Sequence, residues 1–574
     1  MRFTGLESHA LTSAVFSALL LSMLTIGAIA QAESFDLEFC SFLGGSKWER
    51  IQSVFADADG YVYVAGSTKS ADFPTTPGAY DTTGSGNNSN DGFVAKIAPD
   101  GTSKIWSTYL HGTDRDDVYG VYADADGFVY AVGWTRSSSF PTTPGAYDTT
   151  HNGDMDVFVA KFEPDGTDLV YATFLGGSGT DQCRGGMDFD EEGAVYLSGY
   201  TDSTDFPTTS GAIQSSFRGG YGDAFVAKLS ADGSELLFST YLGSTGPDHA
   251  FPGLRLHTDH SIVVTGVAGA ADFPTTPGAY QTTFAGTEIS GVWYGDAFVA
   301  RFSLTPTHEH NLHYITFLGG SGKETSTAQH GIALDEDGNA VIAITTHSTD
   351  FPTTPGAYQK ILKGNNNLAI SKLSFDGAEL LGSTYFGGSP VNGYEASGLA
   401  FDSDANVFLT GSIFGSITDH PVTADAFRST AAGAGEAFFA VFSPDLSALR
   451  YSSHFGGAGG DRIRDLARTK AGDLIFAGDT YSTNLPVTPG VFQENYVGAG
   501  DAYIARFKPR KLPPGDVYDD DIVNYLDLLK MAGMWLEPGA LGSDLTDDKH
   551  TDLEDYAILA DYWRAYYTPS SPTR

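Results

Sequence analysis

Basic residues and cysteines are what this chain has least of. Its 574 residues hold 32 Lys and Arg against 71 Asp and Glu, a formal net charge of −39. Each unpaired carboxylate repels a phosphate backbone or an anionic headgroup, which argues against nucleic acid and acidic membranes as partners. The two cysteines, Cys40 and Cys183, lie far apart in the chain, and both are assigned to packing rather than to a bridge. Gly-x-Ser-x-Gly, a Walker loop, a dinucleotide fingerprint and a zinc-protease helix are all missing, so no common catalytic signature points to a reaction.

Long apolar runs are equally scarce. One extends from Leu11 to Ala30, after a thin positive start at Arg2, and small residues at Ala28, Ala30 and Ala32 fit a signal-peptidase site. Thr12, Ser13, Ser17, Ser22, Thr25 and Gly27 make the run too polar for a comfortable membrane anchor, so residues 1–30 are expected to be a cleaved signal peptide. The mature protein is then expected to be secreted or held at a bacterial cell surface, with no membrane span after cleavage.

A repeat is abundantly present. FPTTPGAY starts at Phe73, Phe140, Phe273 and Phe351, and weaker copies start at Phe206, His420 and Leu485, at spacings of 67, 66, 67, 78, 69 and 65 residues. A fixed period means that each unit buries its apolar face against the next. Within one unit, residues 118–123, 128–132, 157–162 and 169–175 read as strands. Asp-Gly turns at Asp126-Gly127 and Asp165-Gly166 join two pairs of them as hairpins. Four antiparallel strands at this period describe a propeller blade.

The phase of the repeat predicts how the ring closes. The segment at 39–43 is of the fourth-strand class (CSFLGG, STYLHG, ATFLGG), whereas the array ends at 501–507 on a third-class strand. The N-terminal strand therefore completes the last of seven blades, which removes the exposed sheet edges.

These segments resemble the bacterial SBBP repeat family, over about residues 37 to 508. The resemblance implies a seven-bladed β-propeller and names no reaction.

The repeated motif reads first as an anchor, with an aromatic at each end and prolines that stiffen the loop; a seven-fold ligand loop is the alternative. Asp residues of the DxDG and PDG turns read as turn caps. The fourth blade carries His308, Glu309, His310 and His313 at a hairpin tip, without the spacing of a metal-ligand set. Residues 113–117 and 179–181 are inter-blade loops that either line one face or are ordinary polar loops.

Beyond the linker at 509–514 the pattern turns helical. Two twelve-residue segments place oxygen donors at calcium-loop positions. In the first these are Asp516, Asp520, the Ile522 carbonyl, Asn524 and Asp527, with Tyr518 at the third position. In the second they are Asp544, Thr546, Asp548, the His550 carbonyl, Asp552 and Asp555. Residues 515–566 thus resemble a type I dockerin, a small α-helical EF-hand-like module, with 567–574 as a tail. The resemblance implies bound Ca2+ and a cohesin-like or other extracellular protein partner. Asp521 and Lys549 stand where the loop needs Gly, and Tyr518 lacks the usual oxygen, so the second loop is the stronger.

The expected function is a secreted, non-enzymatic propeller scaffold tethered through calcium. The alternative is a polysaccharide-binding or polysaccharide-degrading propeller, a glycoside hydrolase or lyase. The latter needs converging, non-repeated side chains on the central face.

Overall fold

Apolar and polar residues alternate through short strands closed by Asp-Gly turns, and seven antiparallel sheets result, one per repeat. The computed structural model describes residues 34–286, 294–325, 331–390, 392–433 and 435–510. The expected signal peptide and the calcium loops at 516–527 and 544–555 lie outside these residues.

Blade 2 is representative. Its strands are Asp116–Ala123, Val129–Thr135, Asp156–Phe162 and Leu169–Leu175, each antiparallel to the next. In blades 1, 2, 3, 5 and 6 an aspartate opens the first turn and fastens it, as when Asp124 Oδ1 accepts from Asp126 N at 3.1 Å and from Phe128 N at 2.9 Å; His257 and Thr469 stand there in blades 4 and 7. The reading of these aspartates as turn caps therefore holds.

Seven apolar clusters each bridge two neighbouring blades. Between blades 2 and 3, for example, Tyr130 and Val159 pack with Cys183 and Leu197. Both cysteines are buried and unbridged, as expected. Closure follows the phase of the repeat: Phe35–Leu43 pairs with the third strand of blade 7, Asp501–Pro509. That strand takes in Pro509, the first residue of the segment read as a linker.

FPTTPGAY proves to be a fastening. Phe73, Phe140, Phe206, Phe273 and Phe351 are all buried, and Phe140 lies 4.3 Å from the Phe158 ring of its own blade. The threonine two residues after the first proline grips the outer strand: Thr76 N donates to the Ser107 carbonyl, and Ser107 N donates to Thr76 Oγ1, both at 3.0 Å. Tyr80 then crosses to the next blade, where its N donates to the Gly166 carbonyl at 2.9 Å. Blade 7 repeats this across the closure, with Thr488 N on the Cys40 carbonyl at 3.1 Å and Phe492 N on the Gly101 carbonyl at 3.0 Å.

The glycines that receive these bonds are required. Gly166 has φ +70°, and a Cβ there would meet the Trp106 ring at 2.4 Å. Each such turn therefore serves as the socket for an aromatic side chain of the preceding blade.

Carboxyl pairs seal the blade junctions. An acid at the start of the third strand in one blade (Asp156, Asp223, Asp296, Glu436) faces another at or just before the start of the inner strand in the next (Asp181, Asp248, Glu324, Asp461). The outward oxygens take donors from loops, as when Ser203 Oγ donates to Asp181 at 2.9 Å. One oxygen each on Asp156, Asp223, Asp296 and Glu436 has no hydrogen-bond partner. Between blades 1 and 2 the glycine beside the pair is replaced by His111, whose Nδ1 is 3.9 Å from Asp91. Between blades 5 and 6 Asn367 and Tyr394 replace both acids, and neither is charged.

Candidate binding site at the channel mouth

The inner strands ring a central channel: Glu49–Ala56, Asp116–Ala123, Asp181–Phe189, His249–Leu256, Glu324–Thr325 with Ile332–Leu334, Gly393–Phe401 and Asp461–Arg468. Their register against the second strands fixes which residues are equivalent. An acid comes first (Glu49, Asp116, Asp181, Asp248, Glu324, Asp461), and an apolar residue sits two places on (Ile51, Val118, Cys183, Ala250, Ala396, Ile463).

The positions between and after them do not repeat. Arg50, Asp117, Gln182, His249, Glu395 and Arg462 occupy one row. Gln52, Tyr119, Arg184, Phe251, Ser397 and Arg464 occupy the next, and each falls where the ladder slips in a β-bulge. A bulge leaves its residue outside the paired ladder and re-aims its side chain. In each of the six blades whose inner strand is described at this position, one side chain is freed from the ladder at this end of the channel, and the repeat leaves its identity open.

These side chains converge. The Arg184 guanidinium carbon lies over the rings of Phe251 (4.6 Å) and Tyr119 (5.8 Å), with its Nη2 donating to Gln182 Oε1 at 2.9 Å. Arg115 pairs with Asp117 at 2.7 Å and lies 4.7 Å over Trp134. Arg464 pairs with Asp479 at 2.7 Å and stands 4.0 Å from Glu395. Burial and then the nearby Arg464 charge lower the Arg50 pKa, while burial opposes the Arg464 charge but Asp479 and Glu395 outweigh it and raise its pKa. Burial, helped by Arg184, lowers the His249 pKa to about 3, which keeps the imidazole neutral.

In a chain of charge −39, five arginines gather here against three carboxylates, and among the described residues neither Arg184 nor Arg462 has a carboxylate within 4.0 Å. A planar guanidinium fixed by aromatic faces is preorganised for a carboxylate or sulfate.

The opposite end of the channel is a 270 Å³ cavity lined by Ser53, Asp188, Arg255, Asp465 and Arg468 among others. Its acids are committed to the protein. Asp465 accepts from Ser53 Oγ at 3.0 Å and Val54 N at 2.9 Å, and Asp188 accepts from Leu256 N at 2.8 Å. That end ties inner strands together.

Of the loops singled out in the sequence, residues 113–117 do reach the mouth, through Arg115 and Asp117. Residues 179–181 supply a blade-junction acid, Asp181, rather than a mouth residue. The histidines of blade 4 are engaged separately: His310 Nδ1 contacts the Gly211 carbonyl at 2.9 Å, and His313 Nε2 contacts Ser303 Oγ at 3.1 Å, on the expected hairpin. No group of three potential metal ligands occurs among the described residues. Arg50, Gln182, Arg184, His249 and Arg464 were not singled out by motif, because their signal is a difference between repeats at a bulge, visible only once the register is known.

A family model described as a beta-propeller repeat, SBBP, matches residues 105–141. No curated protein matches the chain. Similar solved structures include a protein of unknown function from Dyadobacter fermentans (9% identity, 83% of this chain and 100% of that one, TM-score 0.38). BamB from Moraxella catarrhalis is another (10% identity, 83% and 99%, TM-score 0.34). A third is a polysaccharide lyase of family PL25, an ulvan lyase (10% identity, 82% and 95%, TM-score 0.39). Likenesses at these TM-scores assign no role to this chain. The chain is a seven-bladed β-propeller repeat protein with an SBBP-type repeat at residues 105–141.

Proposed function

We propose that this propeller is a non-enzymatic binding protein that takes an anionic ligand at the arginine-lined mouth of its channel. One observation carries the reading: the inner-strand positions that escape the repeat are the ones that gather Arg184, Arg464, Tyr119 and Phe251 around one end of the channel. Surplus positive charge at that point opposes the charge of the whole chain and steers small anions to it.

The tether belongs to the same proposal. Residues 515–566 bind Ca2+ through Asp544, Thr546, Asp548, the His550 carbonyl, Asp552 and Asp555, and less strongly through the loop of Asp516 to Asp527. The loaded module then docks a cohesin-like extracellular protein, and export through the N-terminal signal places it there.

The mouth is tested by calorimetric titration of the full chain with galacturonate. Arg184→Ala removes the binding heat, whereas Arg450→Ala, on the outer strand of blade 6, leaves it intact. Equal binding by both variants refutes the site. The tether is tested by pull-down with and without chelator, with Asp544→Ala and Asp555→Ala as controls; capture that ignores all three rejects it.

His249 favours a second reading, a polysaccharide-degrading propeller. This residue is the one histidine in the non-repeated row of described residues at the mouth, 4.7 Å from the Phe251 ring, and imidazole is the commonest general base. Release of an unsaturated uronate from an acidic polysaccharide, lost in His249→Ala, supports that reading; an unchanged polymer rejects it.

A further inference from the structure

A second opening lies at the same end of the inner strands, at the junction of blades 6 and 7. It is a crevice of 460 Å³ lined by Asn392, Phe414, Gly435, Gly460, Arg462 and Tyr481 among others. Phe414 and Tyr481 are equivalent residues, each directly following the paired end of its second strand or closing it, where the other blades carry Lys69, Arg136, Asp202, Gly269 and His347. Blades 6 and 7 alone place a phenyl or phenol ring at this row.

The two rings are differently used. Phe414 lies beneath Arg462, whose guanidinium carbon is 4.8 Å from the ring centre. Tyr481 is 49% exposed, yet its hydroxyl accepts from the Trp48 indole at 3.1 Å, which fixes the ring without covering it. The acid in the lining, Asp461, is already committed to Gly457 N at 2.7 Å, Ser482 Oγ at 2.8 Å and the Thr480 hydroxyl. Arg462 therefore supplies the charge that the crevice offers, and the Asn392 side chain makes no hydrogen bond among the described residues.

We propose that this crevice is a subsite for one sugar ring of an acidic oligosaccharide whose carboxylate-bearing neighbour occupies the channel mouth. The proposal rests on the mouth reading and extends it, since Arg462 stands two residues from Arg464 on the same strand. The volume suits a saccharide ring, the low end of what ligand sites enclose. An exposed but fixed aromatic face packs on the apolar face of a pyranose. A guanidinium without a carboxylate partner takes the uronate carboxylate, and an uncommitted amide takes a hydroxyl. An acidic peptide satisfies the arginines but leaves the flat face of Tyr481 unused.

Gly460 allows a clean obstruction. Its φ is ordinary, and a Cβ there meets nothing nearer than Tyr481 at 3.9 Å, so Gly460→Leu fills the crevice without straining the backbone. Galacturonate monomer and a galacturonate hexamer are titrated against the full chain and against Gly460→Leu, Tyr481→Ala and Arg184→Ala, with thermal unfolding confirming that each variant folds. The expected result is a loss of about tenfold in hexamer affinity for Gly460→Leu and Tyr481→Ala with monomer affinity unchanged, and loss of both ligands in Arg184→Ala. Hexamer binding that survives Gly460→Leu and Tyr481→Ala but not Arg184→Ala overturns the subsite and leaves the mouth standing. Wild-type protein that binds neither probe overturns both. Polyglutamate that binds with the same dependence on Tyr481 overturns the assignment to a sugar.

Discussion

Asp296 and Glu324 point bare carboxylate oxygens at one spot. A Cβ on Gly319 would lie 2.6 Å from Asp296 Oδ1 and 2.8 Å from Glu324 Oε2, and neither oxygen has a hydrogen-bond partner. Two such oxygens facing each other are accommodated by a shared proton; burial raises both groups above the ordinary carboxylate range, and the Asp296 charge adds to the rise at Glu324. Burial likewise raises Glu49, Asp116, Asp181, Asp223 and Glu436 to about 7 and Asp248 to about 8.

The direction of the pH dependence follows. Groups raised in the folded state give stability that is complete below their unfolded values near 4 and is lost as pH rises through about 7 to 8. The melting temperature of the propeller is therefore expected to fall between about pH 4 and pH 8 and to level off above that. Asp296→Asn copies the neutral arrangement found at Asn367. It is expected to stabilise the protein by about 1 kcal/mol above about pH 8 and to flatten the profile between about pH 4 and pH 8. A flat wild-type profile contradicts the shared proton.

Gly166→Ala tests the aromatic sockets. The substitution combines a left-handed backbone with a collision against the Trp106 ring, so a cost of about 2 to 4 kcal/mol is expected in denaturant unfolding. Gly78→Ala, at φ +84° with nothing within 4 Å, carries the backbone part alone and is expected to cost about 1 kcal/mol.

Phe140→Ala tests the fastening role of FPTTPGAY. The ring is 3% exposed and packs on Phe158 and Phe174, so its loss is expected to cost about 3 to 5 kcal/mol while leaving ligand binding at the mouth unaltered. A change in galacturonate affinity without a change in stability reverses the assignment.

Cys183 is buried, and burial raises its thiol pKa to about 12; Cys40 is buried and raised further. Neither is expected to react with a thiol reagent in the native protein at neutral pH, and both react after unfolding in guanidinium.

The architecture was readable in the sequence because a repeat states each contact seven times. Phe73 and its equivalents mark the fastened loops, the Asp-Gly turns mark the hairpins, and the strand class of 39–43 announces the closure. The mouth was not readable, for the opposite physical reason. Arg184, Tyr119 and Arg464 stand at a structural position that Gln52, Phe251 and Ser397 fill in other blades, so no common residue type marks it. They meet only because a bulge in each inner strand turns them out of the ladder. Motif reading seeks fixed spacing within one segment and passes over a row assembled from separate repeats. The acid pairs were hidden similarly, since Asp296 and Glu324 come from different blades and the strand pattern shows each only as an edge residue.

The most direct test of the account is the calorimetric titration of galacturonate into the full chain and its Arg184→Ala variant. Saturable heat in the wild type that disappears in Arg184→Ala, with the variant's melting temperature unchanged, is the predicted result. Identical heats in the two proteins would place the ligand elsewhere and contradict the assignment of the channel mouth.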